Sequence, residues 1–304
     1  MRKYAFRLVN VFAESQFGGN PLCVFEQADG LTDAEMMALA KQFNLSETSF
    51  ILPPEQAGAS ARMRIFTPDM EMAFAGHPSL GTAHVVQQLQ NELQAGDRQF
   101  SLECKAGIIP MMLDQQGIWT LEAPYRGEVQ RDQVLTRPCE LSPAQVAGML
   151  GLQESDLLSD PVWVNTGSEQ LLVPLKSAAA VAKVQPDSAQ LAIWPANRVG
   201  RRMAYVFAFD EATAPNAGHR PVTARYVFAR QDGGFSEDPG TGSACANLGG
   251  WWMAQGRDVP VSMVIAQGVQ MGRSCRLYLE VTKDQAIRVG GRVREIAQGQ
   301  VQIE

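Results

Sequence analysis

Three side chains have the types and settings that proton chemistry needs: Glu47, His77 and Asp238. Glu47 stands between Ser46 and Thr48, in a polar island over residues 44–49, directly ahead of the apolar run Phe50-Ile51-Leu52. A carboxylate beside a core strand is costly unless it is solvated or used. One reading is a solvated loop glutamate or local cap. The other is an acid/base whose partial burial raises its pKa toward neutrality, so that it serves as base in one step and acid in the next. Asp238 leads into Pro239-Gly240-Thr241-Gly242-Ser243-Ala244, the pattern of a loop becoming the N-terminus of a buried helix. Asp before Pro is a good N-cap, and the helix dipole holds such a carboxylate ionised. It therefore suits orienting a substrate or His77 better than carrying a proton. His77 opens a matching stretch, Ala75-Gly76-His77-Pro78-Ser79-Leu80-Gly81-Thr82-Ala83, and histidine is a poor N-cap.

The two stretches align without a gap. Arg64 falls on Arg225 (225 − 64 = 161), Pro78 on Pro239 (239 − 78 = 161), Gly81 on Gly242 and Ala83 on Ala244. His77 falls on Asp238 and Thr82 on Ser243. Two related halves follow, each with a strand, a loop and a buried helix, and with His77 and Asp238 in equivalent places at the helix starts. The free N–H groups at such starts favour an anion, here a carboxylate.

Strand patterns cover residues 4–12, 22–25, 50–52, 62–67, 99–104, 107–113 and 119–123 in the first half. They cover 162–165, 170–175, 203–209, 222–228, 261–265, 276–282, 286–289 and 300–303 in the second. Helices are expected from Thr32 as cap, from Pro78 to about Leu89, from the Ser142 cap with Pro143 at its first position, over 186–194, and from Gly242 to near Gly256. Many strands per helix in two similar halves give an α+β class, not a doubly wound one. The polar, charged segment broken by Pro138 places the domain boundary near 125–140.

Composition narrows the partners. The chain has 304 residues, a formal net charge of −6 and a pI near 5.3, which argues against nucleic acid and anionic membrane. No apolar run has the length of a membrane span, and Met1-Arg2-Lys3 leads into a strand pattern rather than an apolar signal segment, so a cytoplasmic protein is expected. Five scattered cysteines without a C-x-x-C read as buried free thiols. His77 and His84 lie about 10 Å apart along a helix, too far to share a zinc ion. Dinucleotide, phosphate-loop and nucleophile-elbow patterns are missing. No metal, nucleotide or pyridoxal phosphate is expected. The site residues instead suit acid/base catalysis on a small carboxylated molecule.

Taken together, Gly19-Asn20-Pro21, Asn44-Leu45-Ser46-Glu47-Thr48, Arg64-Ile65-Phe66-Thr67-Pro68, Ala75-Gly76-His77-Pro78 with Leu80-Gly81-Thr82-Ala83, and Glu237-Asp238-Pro239 with Thr241-Gly242-Ser243-Ala244 resemble the phenazine-biosynthesis PhzF-like isomerase family. Gly240 departs, standing where alanine is common, and the strand from Arg225 to Arg230 lacks a counterpart of Pro68. The resemblance implies the diaminopimelate epimerase fold: two domains, each a β-barrel-like mixed sheet around a central helix, with the active site between them. The repeat and the boundary segment place the domains over 1–125 and 126–285; the resemblance implies that the final strands, about 286–304, return to the first, and often a homodimer, for which Trp251-Trp252 offers apolar surface if it is not core. It also implies Glu47 as catalytic acid/base with His77 and Asp238 as its partners, and Gly76, Gly242, Ser243 and Asn20 as substrate-binding positions. The helix starts carry no cysteine, so two-thiol racemisation is not expected. The function expected is a cofactor-independent isomerase. The alternatives are an amino-acid epimerase or racemase using the same groups, and a non-catalytic small-molecule binding protein.

Overall fold

Strand alternation in the first half builds one mixed sheet around an apolar helix. The computed structural model describes residues 1–90, 100–123, 135–210, 218–230 and 233–304. It divides into two compact units, one of residues 1–122 with 290–304 and the other of residues 123–289. Residues 125–134 of the expected boundary segment lie outside the described residues.

The first unit runs β1 (Arg2–Val11), β2 (Asn20–Phe25), α1 (Asp33–Phe43), β3 (Glu47–Leu52), β4 (Ala61–Phe66), β5 (Glu71–Met72), α2 (Gly76–Gln90), β6 (Phe100–Cys104), β7 (Gly107–Leu113) and β8 (Trp119–Glu122). β1 pairs antiparallel with β2, β2 parallel with β3, β3 antiparallel with β4, β4 antiparallel with β5 and parallel with β6, and β6 antiparallel with β7. α2 is buried from His77 through Ala83, with nothing of an exposed polar face there, as expected of a central helix. Gly81 permits the fit: a Cβ there would come within 2.5 Å of Leu22 Cδ2 and 3.1 Å of Val11 Cγ2.

The second unit runs β9 (Leu135–Pro138), α3 (Pro143–Met149), β10 (Val162–Asn165), β11 (Glu169–Pro174), α4 (Ala178–Lys183), β12 (Met203–Phe209), β13 (Arg220–Ala229), β14 (Phe235–Asp238), α5 (Gly242–Ala254), β15 (Val261–Gln267) and β16 (Cys275–Val281). Its pairing order repeats the first: β10 antiparallel with β11, β11 parallel with β12, β12 antiparallel with β13, β13 antiparallel with β14 and parallel with β15, β15 antiparallel with β16. β17 (Ile287–Gly291) carries the chain out of the second unit, and β18 (Val293–Ile303) pairs antiparallel along the whole of β1. This is the expected α+β architecture.

A matched ion pair marks the repeat. Arg64 in β4 grips Glu71, which lies opposite Phe66, with Nε and Nη2 each 2.8 Å from a carboxylate oxygen. Arg225 in β13 grips Glu237, opposite Val227, through the same two nitrogens at 3.1 and 2.8 Å. In both cases the glutamate faces the residue two beyond the arginine. From each glutamate the helix begins five residues on, at Gly76 and at Gly242.

That count corrects the ungapped alignment. α2 starts two residues before Pro78, whereas Pro239 lies ahead of α5. His77 is the second residue of its helix, as Ser243 is of the other; Asp238 is the last residue of β14 and not an N-cap. The two are not in equivalent places. Residues 188–193 form a 3-10 turn, tighter than the α-helix the pattern suggested. Trp251 and Trp252 are 1% and 6% exposed, packed against Phe207 and Phe209, so they are core and offer no dimer surface.

α1 is capped as its sequence proposes. The Glu35 N–H donates to Thr32 Oγ1 at 3.2 Å, and the Thr32 N–H donates to Glu35 Oε2 at 2.8 Å. Thr32→Ala removes one half of this box. It is expected to lower unfolding free energy by about 1 kcal/mol, read by chemical denaturation; no change would mean that water replaces the cap at no cost.

Candidate active site

Glu47 is the first residue of β3, not a loop residue. Two positions on, Ser49 Oγ lies 2.7 Å from Thr82 Oγ1 of α2, both side chains buried. Strand side chains alternate faces, so Glu47 shares the face turned to α2. Its Oε2 is 3.6 Å from His77 Nε2, with the glutamate side chain 17% exposed and the histidine 7%. The imidazole also donates to the Pro21 carbonyl, and Nε2 is not the atom used. The Gly19-Asn20-Pro21 motif supplies that carbonyl. Gly19 has φ +86°, and a Cβ there would stand 2.6 Å from the Val11 carbonyl oxygen. Asn20 is fully buried and opens β2. Gly76, the other expected contact of this half, is the first residue of α2, one before His77.

Burial pulls the His77 imidazole down to about 3, against a smaller opposing effect of the Pro21 bond. At neutral pH it is therefore uncharged, and its contact with Glu47 is polar rather than an ion pair. With one nitrogen donating to Pro21, Nε2 presents a lone pair toward the carboxyl.

The stability consequence has a definite sign. The unfolded imidazole takes up a proton near 6.5, the folded one only near 3. Between those values the unfolded chain binds more protons, so the folded state loses stability as pH falls below 6.5. From pH 6.5 to 4.5 this amounts to roughly 2–3 kcal/mol. Burial of His84 acts in the same direction. His77→Gln is expected to flatten the slope of stability against pH over that window in denaturation curves; an unaltered slope would refute the neutral assignment.

The second unit gathers a different set. The Asp238 carboxylate accepts from the Thr241 hydroxyl, and Gln267 Nε2 donates to the Asp238 carbonyl at 2.8 Å and to Thr241 Oγ1 at 3.0 Å. Thr241 is the N-cap residue of α5, but with its hydroxyl turned to Asp238 it makes no side-chain capping bond. The orphan N–H groups of the first turn are thus not satisfied by the usual side chain. Gly242 and Ser243 begin the helix, and Ser243 Oγ accepts from Gln170 Nε2 at 2.9 Å. Tyr226 lies opposite Asp238 in the sheet, where burial pushes its phenol up.

Gln170, Thr241, Tyr226 and Gln267 are the members that sequence reasoning missed. Thr241 and Gln267 carry side chains that differ little from those of ordinary loops and strand ends. Gln170 did leave a signal: it is a polar residue heading the apolar run Leu171-Leu172-Val173, and it is buried. No group of three His, Cys, Asp or Glu among the described residues could hold a metal ion. Among them, too, no helix is long and apolar enough to cross a membrane.

The family described as phenazine biosynthesis-like protein matches residues 9–299. The chain belongs to this family. It is 39% identical over 299 residues to an uncharacterized isomerase of Pasteurella multocida, covering 98% of this chain and 94% of that one. It is 32% identical over 306 residues to the trans-2,3-dihydro-3-hydroxyanthranilate isomerase of Pseudomonas aeruginosa, covering 98% and 99%. Among solved structures, a Bacillus anthracis phenazine biosynthesis protein of the PhzF family superposes with a TM-score of 0.82 over all of both chains at 23% identity. A hydroxyproline epimerase from Agrobacterium vitis, at 15% identity over 99% of this chain and 92% of its own, gives 0.57, a likeness of fold. The protein is thus a phenazine biosynthesis-like isomerase acting on a small molecule.

Proposed function

We propose that the protein is a cofactor-independent isomerase that moves a proton within a small carboxylated metabolite, with Glu47 as the acid/base. The observation that carries this reading is the Glu47–His77 contact of 3.6 Å at a nearly buried site with an uncharged imidazole. As carboxylate, Glu47 takes a proton from one carbon; as carboxylic acid, it returns that proton to another, and the double bond shifts. His77 Nε2 accepts from the protonated carboxyl between the two steps and holds its direction. Asn20 and Gly76 in the first unit, and Asp238, Gly242 and Ser243 in the second, are read as substrate-binding groups. The uncapped first turn of α5 supports an anionic group on the substrate. The name of the Pseudomonas aeruginosa relative supplies a compound to try, a cyclic amino acid carrying a carboxylate and a hydroxyl.

The test is incubation with trans-2,3-dihydro-3-hydroxyanthranilate and related small carboxylates in deuterium oxide. A shifted double bond is the expected product, with deuterium at the newly protonated carbon to the extent that the Glu47 proton exchanges with solvent between the two steps. Inverted configuration with the double bond in place would instead mean an epimerase. Bound compound recovered without deuterium or rearrangement would mean a binding protein.

A further inference from the structure

The polar side chains beneath the start of α5 form a chain of hydrogen bonds whose direction is set by the backbone. The Thr166 N–H can only donate, and it gives to Asn247 Oδ1 at 2.8 Å, joined by the Thr166 hydroxyl at 2.7 Å. The amide nitrogen of Asn247 must then point the other way. It donates to the Ser168 carbonyl at 2.8 Å and to Gln170 Oε1 at 2.7 Å. The Ser168 carbonyl can only accept, so both ends of the Asn247 amide are fixed. Gln170, with its oxygen taken, turns its nitrogen to Ser243 Oγ at 2.9 Å. The Tyr226 hydroxyl is a further neighbour of the same amide.

Thr166, Gln170 and Asn247 are all buried, so reversing either amide would set like against like where water cannot compensate. The sequence of constraints ends at Ser243, whose oxygen accepts from Gln170 and whose own proton must be sent elsewhere. Ser243 is half-buried, and its hydroxyl has no other hydrogen bond among the described residues.

We propose that Gln170 is a positioning residue that holds the Ser243 hydroxyl as an outward-facing donor, selecting a substrate that presents an acceptor oxygen, carboxylate or carbonyl, to it. This rests on the reading of Ser243 as a substrate-binding group. Asn247 and Thr166 act one and two bonds further back, and their part is to fix the direction of Gln170.

The test has two arms. Neutron diffraction from crystals grown in deuterium oxide reads the polarity without substrate. Deuterons on Gln170 Nε2 directed at Ser243, with the Ser243 deuteron turned away, support the proposal; a Ser243 deuteron directed at Gln170 overturns it. The second arm is a double-mutant cycle on trans-2,3-dihydro-3-hydroxyanthranilate. Gln170→Glu replaces the donor with an acceptor and is expected to raise KM at least tenfold with a smaller change in kcat. In a Ser243→Ala background the same change is expected to cost less than twofold. An equal cost in both backgrounds would make Gln170 merely structural and sink the proposal. Ser243→Ala with unaltered kinetics would instead remove the substrate-binding reading of Ser243 and leave the measured polarity standing.

Discussion

Glu47→Gln is expected to keep the fold and ligand binding while lowering turnover by about 10²–10⁴-fold, the range general acid–base catalysis supplies. Glutamine matches glutamate in size and retains an oxygen and a donor, so β3 and its Ser49–Thr82 tie to α2 have no reason to move. What it lacks is the ability to exchange a proton. Steady-state kinetics on trans-2,3-dihydro-3-hydroxyanthranilate, with circular dichroism to verify folding, separates the two properties. Asp238→Asn is the informative comparison: it weakens the hold on the Thr241 hydroxyl and should raise KM as well as lower kcat. Near-normal turnover by Glu47→Gln would require a different proton carrier.

Arg225→Met is expected to destabilise the protein by about 3–5 kcal/mol, because it leaves a buried carboxylate without its cation. The Arg225 side chain is 10% exposed and that of Glu237 is 13%. The guanidinium does more than grip Glu237: it donates to the Val184 and Val181 carbonyls at 2.8 and 3.3 Å, at the C-terminal end of α4. A cation there adds donors to carbonyls at the helix end and opposes the helix dipole. Glu237→Gln combined with Arg225→Met should recover part of the loss, since the stranded charge is then gone. Thermal or denaturant unfolding of the three proteins reads the effect. A single variant within 1 kcal/mol of the parent would show that water reaches Glu237 and that the pair is a surface one.

The parts of the fold that the sequence displayed are those controlled by local chemistry. Thr32, and Ser142 with Pro143, are cap signals whose side-chain bonds reach only three residues ahead, and both helices begin where those residues say. The apolar helices α2 and α5 were likewise visible, because their small residues leave no polar face. The register between the halves was not. Glycine, proline and alanine coincide along the ungapped alignment, but the hairpin from β13 to β14 is longer than that from β4 to β5, and the arginine–glutamate grip, not the proline, keeps the count to the helix. For that reason Asp238 falls in a strand. The contact between Glu47 and His77 also depends on pairing: it follows from β3 lying beside β2 and facing α2, and no spacing in the sequence encodes that. Gln170 belongs to the same class, since its meaning comes from Asn247, 77 residues away.

The pairing of Arg2 with Ile303, at the two extremes of the sheet's outer ladder, has a bearing on how the protein comes into being. The second unit is a continuous stretch and can close as soon as it leaves the ribosome. The first cannot, because one flank of β1 stays open until residues 293–303 have been made. At ordinary rates of synthesis that is a delay of roughly 15–60 s. Through that interval the nascent chain displays a ten-residue strand with a free flank, the kind of surface that recruits other chains. Residues 293–303, which close the flank of β1, are thus translated only after the whole of the second unit, so vectorial synthesis lets the second unit fold before the first is sealed.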